Sequence, residues 1–305
     1  RTRDPKLVFG SGPDYRLETN YQTRYSTANQ EKSAHLDIDY GGRNWGSLTS
    51  FSIAAYSDLR AGDNRPDEYP DLGKRYAYVE RIENADQIKS GDVNIQRQTG
   101  YTQIDFLQKL RFQPSDNFYL IANFQYSTST NIPRYDALTD TLSTAQELVY
   151  AEWNYGPQRR LLASLKDRLL GRTFLYDKGT IIGSFQKIDE DRLVRRYGRS
   201  HRDWNSEDVY VYSVTADFDK NMDRNGQNVL AYGGEINYNF VDSRAVQQSA
   251  RTGNISKGPL SRYASAGNEM MTKAAYLNYK LSNKAQTLVF NAGARYTDIT
   301  VSARN

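Results

Sequence analysis

The chain has 305 residues, a net charge of +4 and no cysteine, which excludes a disulfide framework and a thiolate metal centre. Tyrosine is abundant at 24 residues and aromatics reach 12%, yet mean hydropathy is −0.78. No apolar run approaches the roughly 20 residues a membrane helix needs. The opening RTRDPKL lacks a targeting segment, and the well-mixed charge gives no electrostatic case for nucleic acid.

Period-two alternation dominates the chain from residue 15 onward. Tyr15, Leu17, Thr19, Tyr21, Thr23 and Tyr25 take one face, and Arg16, Glu18, Asn20, Gln22 and Arg24 the other. Residues 34–40 set Leu36, Ile38 and Tyr40 against His35, Asp37 and Asp39. A weaker strand covers 47–58. Residues 102–112 oppose Ile104, Phe106, Leu110 and Phe112 to Gln103, Asp105, Lys109 and Arg111. Further strands are predicted over 118–127, 159–170, 179–188, 210–218, 230–240, 275–281 and 288–296. The total is about eleven, and such alternation explains how a chain of low mean hydropathy can cross a bilayer.

The predicted connections alternate short and long. Gly41–Gly46, Gln113–Asn117, Leu175–Gly179, Lys220–Gly226 and Ser282–Gln286 are short. Arg60–Gln98, Thr130–Gln158, Asp189–Ser206 and Ser243–Met270 are long. An up-and-down sheet places every second connection at the same end, so one end carries turns and the other loops. Outer-membrane barrels are built this way, with short periplasmic turns and long extracellular loops. Tyr25, Tyr126, Tyr238 and Tyr296 fall on the apolar face near the loop end, where an interfacial girdle is expected; strand propensity also favours Tyr. Bacterial single-chain barrels have even strand numbers, so an odd count implies a cut barrel.

The segment DYGGRNWGSLTSFSIAAYSDLRAGD within Leu36–Asp63 resembles the barrel of TonB-dependent outer-membrane receptors. So do GYTQIDFLQKLRF (100–112), IPRYD (132–136), YAEWNYGPQRR (150–160) and GGEINYNFVDS (233–243). The branch it looks most like is the Bacteroidetes type, grouped with haem, haemoglobin and transferrin receptors. The resemblance implies a 22-stranded barrel, with residues 1–14 as the segment after the plug and 15–305 as the N-terminal half of the wall. It implies an upstream plug, engagement of the TonB complex, outer-membrane lipid around the wall, and a small-molecule or haem-protein ligand. The FRAP and NPNL boxes of haem receptors would lie in the other half.

Site candidates follow. No HExxH, GxSxG or Walker sequence is present, so no catalytic residue is assigned and an enzyme is not expected. Tyr135, Tyr150, Trp153 and Tyr155 cluster in one long connection, either as ligand contacts or as the loop's own core. Arg196, His201 and Trp204 sit in a basic stretch that could hold haem, through an axial imidazole and propionate-binding arginines, or simply be solvated. Glu18, Asp37, Asp39, Asp105, Arg111, Glu235 and Arg295 are expected to face the lumen, against a plug or against water. His35 shares that polar face, and no metal site is assigned. The expected function is uptake of a scarce ligand, haem or an iron chelate, with no covalent cofactor. A passive porin or adhesin barrel and a secreted glycan-binding β-protein are the alternatives.

Overall fold

In the computed structural model of the chain the residues described are 3–10, 13–142, 147–285 and 287–304. The predicted segment 1–14, the loop 131–158 and the turn Ser282–Gln286 lie partly outside them. Eleven long strands form the wall: β1 (Arg16–Ser26), β2 (Glu31–Gly41), β3 (Trp45–Tyr56), β4 (Tyr101–Ser115), β5 (Phe118–Ser129), β6 (Arg159–Leu170), β7 (Lys178–Arg196), β8 (His201–Asn221), β9 (Asn228–Ser249), β10 (Asn268–Ser282) and β11 (Val289–Ala303). Each pairs antiparallel with the next, in chain order, and the sheet stays open between β1 and β11. The fold is an all-β, up-and-down section of a barrel wall. Among the described residues no helix is long and apolar enough to cross a membrane.

Hydrocarbon leaves no solvent for an unpaired amide, and β2–β10 each have partners along both sides. Alternation then sorts the side chains. Leu110, Phe124, Leu165, Tyr212, Val214 and Ile236 stand exposed on the outer face. On the inner face one cross-strand row runs Asp39, Leu48, Lys109, Asn123, Ser164, Ser184, Ser213, Asn237. Glu18, Asp37, Asp39, Asp105, Arg111, Glu235 and Arg295 all share that inner face.

Two aromatic rows border the outer face. Near the loop end Phe106 packs on Phe124, Tyr210 on Phe240, and Tyr212 on both Phe185 and Tyr238. Near the turn end Tyr15 stacks on Tyr40, Trp45 lies 4.3 Å from Phe112, and Phe218 lies 5.4 Å from Tyr232. From Phe218 to Tyr210 along β8 is about 20 Å of membrane normal for a tilted strand. That is close to the height of an apolar belt between two interfaces. The row near the turns was not anticipated as a second girdle, although Tyr15, Tyr40, Phe112, Phe218 and Tyr232 all belong to predicted alternating runs.

Two predicted long connections are corrected. Asp189–Ser206 is not a loop: β7 and β8 continue as a paired ribbon through Glu190↔Glu207 and Val194↔Asp203, and only residues 197–200 connect them. Above the belt neither face meets lipid, so pairing persists without apolar alternation. Likewise β9 runs on to Ser249, and Ile255–Lys257 folds back to pair with Val246–Gln248. The first hairpin, 27–30, is also tight although it sits at the loop end. Loop length therefore differs between the ends, but not strictly.

The segment before β1 is tied to the inner face at several points. Lys109 Nζ donates to Asp4 Oδ1 and to the Arg3 carbonyl, both at 2.9 Å. Arg111 donates to the Pro5 carbonyl at 3.3 Å, and the Lys6 amide to Asp39 at 3.4 Å. Asp39 is fully buried and also accepts from Arg16 at 3.1 Å. Arg3 pairs with Asp37. The Val8 amide donates to the Gly42 carbonyl at 3.0 Å. Arg3–Val8 thus forms a strap running down the lumen side of β1–β4 to the turn end. Gly41 permits the approach, since a Cβ there would sit 2.0 Å from the Lys6 carbonyl oxygen.

Gly41→Ala is expected to lift the strap while leaving the wall folded. Trypsin cleavage at Arg3 and Lys6 should become roughly tenfold faster, the effect of about 1.4 kcal/mol of local opening. Gly62→Ala, with nothing near its added methyl, is the control.

Candidate functional site

At the loop end, two long connections and the raised β7–β8 ribbon fold into one body. Within 57–100, Leu59–Arg60 pairs with Ile95–Gln96, and Tyr78–Ile82 pairs with Ala85–Lys89. The latter hairpin turns at Glu83 and Asn84, both at positive φ (48° and 69°), as a tight two-residue turn demands. Within 130–158, Tyr150–Tyr155 adds to the upper part of β7, pairing Trp153 with Val194 and Tyr150 with Arg196. Ile132–Pro133 pairs on its other side, and Tyr135–Leu138 forms a single helical turn.

Two small apolar clusters and one ion network hold these pieces. Val79, Leu148 and Ala151 pack together with Ala77 and Tyr197. Ala137, Leu138 and Trp153 pack with Tyr150 and Val194. Between them Arg195, 2% exposed, donates to Glu152 at 2.8 Å, to Asp86 at 2.6 Å and to the Arg199 carbonyl at 3.1 Å. Asp86 also accepts from the Gly198 amide at 2.9 Å and faces Arg81 at 3.3 Å, while Arg202 reaches Glu152 at 3.2 Å. Burial opposes ionisation of Asp86, but the Arg195 and Gly198 hydrogen bonds and the nearby guanidinium charges outweigh it and hold the carboxyl below its ordinary range. Burial likewise opposes the Arg195 charge, and the two carboxylates outweigh it. One guanidinium therefore ties the 78–89 hairpin, the 150–155 strand and the ribbon tip together.

The predicted aromatic cluster assembles, largely as packing. Trp153 is 7% exposed, lies under Arg134 at 4.6 Å and meets Tyr155 edge-on at 4.8 Å. Tyr135 lies under Arg75, 5.1 Å from its ring centroid. Tyr155 alone among these rings is open, at 41%. The basic stretch is less unified. Arg196 is exposed beside Tyr150, and His201 is exposed with Ser200 Oγ 2.9 Å from its Nδ1. Trp204 lies an odd number of residues along the same strand, so its ring and the His201 imidazole leave opposite faces. They do not form two walls of one slot.

Sequence reasoning missed Arg75, Asp86, Glu152 and Glu207, and took Arg195 only for one of the basic neighbours of His201. All lie in charged stretches whose burial depends on distant partners. Glu207 stands opposite Glu190 and the fully buried Ser243, where Tyr263 closes over through its amide on Ser243 Oγ at 3.4 Å. Its Oε1 has no hydrogen-bond partner among the described residues. Burial pushes its carboxyl up, with Arg192 and Arg262 opposing and Glu190 and Asp191 adding to the rise. Beneath the 130–158 loop the inner face also bounds a cavity of about 280 Å³ lined by Gln103, Ser127, Ser129, Gln158, Arg160 and Glu190. Among the described residues no group of three or more His, Asp or Glu is arranged to hold a metal ion.

No protein-family model matches this chain, and no curated protein matches it. Solved structures do. The chain is similar to the copper transporter OprC, with a TM-score of 0.65 at 9% identity over 99% of this chain and 38% of that one. The likeness shows the fold. Similarity extends to the ferric citrate transporter FecA in its unliganded form, with TM-score 0.58, 13% identity, 98% of this chain and 39% of that one. The FrpB iron transporter from Neisseria meningitidis (F3-3 variant) gives TM-score 0.58 and 11% identity over 96% and 41%. This chain thus spans about two fifths of the length of the structures it matches.

Arg195→Met takes the closest cation from the buried Asp86 carboxylate, leaving Arg81 and the Gly198 amide, and is expected to cost about 3 kcal/mol locally. Amide exchange should accelerate across 78–89 and 150–155 while the wall strands keep their protection, and adding Asp86→Leu should recover part of it. Glu207→Gln removes a burial penalty that exists only when the carboxyl is ionised. Because its folded pKa is raised, the wild type loses stability as pH rises through that value. The variant should therefore melt higher than wild type at pH 8, with the two equal below about pH 4, under the ordinary glutamate pKa.

Proposed function

We propose that this chain is the N-terminal half of the wall of a TonB-dependent outer-membrane receptor, which takes up a scarce metal-bearing ligand, an iron chelate or haem. The observation that carries this reading is the strap. Arg3–Val8 descends the lumen side of β1–β4 before the chain turns into β1, held by Asp39, Lys109 and Arg111. Arg3 is held on the lumen side, so a plug joined ahead of it would enter the lumen directly, whereas an open porin has no use for such a tether. The body built above the belt suits capture from the medium, with Tyr155, Arg196 and His201 available at its surface. Support for a metal-bearing ligand comes from the similar folds, which belong to a copper, a ferric citrate and an iron transporter. No bond is made or broken in this role: the polar inner face binds the plug, and energy arrives through TonB.

The test is ligand uptake by cells carrying the full-length protein under iron limitation. Accumulation of labelled haem or ferric chelate should require the protein and should cease when TonB is deleted. Uptake that persists without TonB, scaling linearly with outside concentration, would mean a passive pore.

A further inference from the structure

Loops 57–100 and 130–158 meet over a cavity of about 430 Å³ lined by Lys74, Arg75, Tyr76, Thr139, Thr141 and Leu148, together with Ala77. None of these lining residues is acidic. Arg75 is 4% exposed. Its guanidinium donates to the carbonyls of Ala77 at 3.1 Å, Arg97 at 2.7 Å and Leu138 at 3.3 Å, and to Gln98 Oε1 at 3.1 Å. Every one of these acceptors is neutral, as is the Tyr135 ring beside it. Among the described residues Arg75 has no salt bridge; Asp58, which acts on it from a distance, is engaged by Arg97 at 3.6 Å. This contrasts with Arg195, buried in the upper part of β7, which has two carboxylates. A cation taken out of water without a counter-charge is costly, and burial pulls the Arg75 guanidinium below its ordinary pKa. Beside it Lys74 pairs with Asp71 at 3.2 Å, an exposed carboxylate that also accepts from Tyr76 at 2.6 Å. Exposed pairs of that kind exchange partners at little cost.

We propose that this cavity is a binding site for a small anionic ligand, a carboxylate- or phosphate-bearing molecule, whose charge Arg75 and Lys74 neutralise and whose oxygens Thr141 can meet. Its volume lies in the range of small-molecule pockets. The inference deepens the uptake reading by naming the charge of what the loops capture, and it rests on that reading only in taking the loop end to face the medium.

The experiment is calorimetric titration of the purified full-length protein in detergent at low salt, with citrate and inorganic phosphate as separate probes. Saturable binding of either is expected, and it identifies which oxyanion the site takes. Lys74→Ala and Arg75→Gln should each weaken it at least ~10-fold, while Arg75→Lys, which keeps the charge, should retain most of it. Because Arg75→Gln could loosen the loops, Lys74→Ala and Thr141→Val decide the outcome: both lie at the cavity edge and leave the Arg75 hydrogen bonds in place. Binding of neither probe, or binding unchanged in Lys74→Ala and Thr141→Val, overturns the proposal. Anion binding that survives while uptake proves independent of TonB would remove the transport reading alone; TonB-dependent uptake without anion binding would remove this inference alone.

Discussion

Hydrocarbon offers a peptide group nothing to bond with, and the rest of this structure follows from that constraint. It forces β1–β11 into continuous antiparallel pairing, and pairing forces alternate side chains outward and inward. The outer set must then be apolar, with rings at two depths: Trp45, Phe112, Phe218 and Tyr232 at one, Tyr210, Tyr212, Tyr238 and Phe240 at the other. The inner set is released from that demand. It becomes a polar surface that holds the strap through Asp39, Lys109 and Arg111.

Above the belt the governing physics changes. Water returns, strand length is no longer limited by a bilayer, and the β7–β9 strands rise well past the upper rings. What orders this region is a pair of buried guanidiniums with small apolar clusters around them. Arg195 is balanced by Asp86 and Glu152. Arg75 is surrounded by neutral acceptors. The first arrangement fixes geometry, since removing any partner leaves a buried charge. The second leaves an unneutralised charge at the edge of a cavity.

The same change of physics explains what the sequence could reveal. Inside the belt alternation is compulsory, so Ile104, Phe106, Leu110 and Phe112 announced a strand and Asp105, Lys109 and Arg111 its inner face. In the ribbon Glu190–Arg196 with His201–Ser206, backbone pairing alone makes the strand, and the charged sequence looked like a solvated loop. Trp153 was recognisable as important, but residue type cannot distinguish a ring packed under Arg134 from one offered to a ligand. Arg195 lay within a basic run, and nothing local marked it as the residue whose partners are 43 and 109 positions away. Resemblance marked RTRDPKL as a segment following a plug, but its strap contacts depend on a surface made by four strands and were not legible in it.

The central claim is that one face of this sheet meets lipid and the other water. This chain has no cysteine, so single substitutions report cleanly within it. The most direct measurement places Leu110→Cys, Leu165→Cys and Val214→Cys on the outer face, and Asn123→Cys, Ser164→Cys and Ser213→Cys on the inner one, in the full-length protein in native membranes. Each is then labelled with a lipid-soluble and a water-soluble maleimide. The account predicts that the outer set reacts only with the lipid-soluble reagent and the inner set with the water-soluble one wherever a plug does not cover it, so that neighbours such as Ser213 and Val214 give opposite results. Equal reaction of both sets with the water-soluble reagent would contradict it and leave the alternation as the signature of a water-exposed sheet.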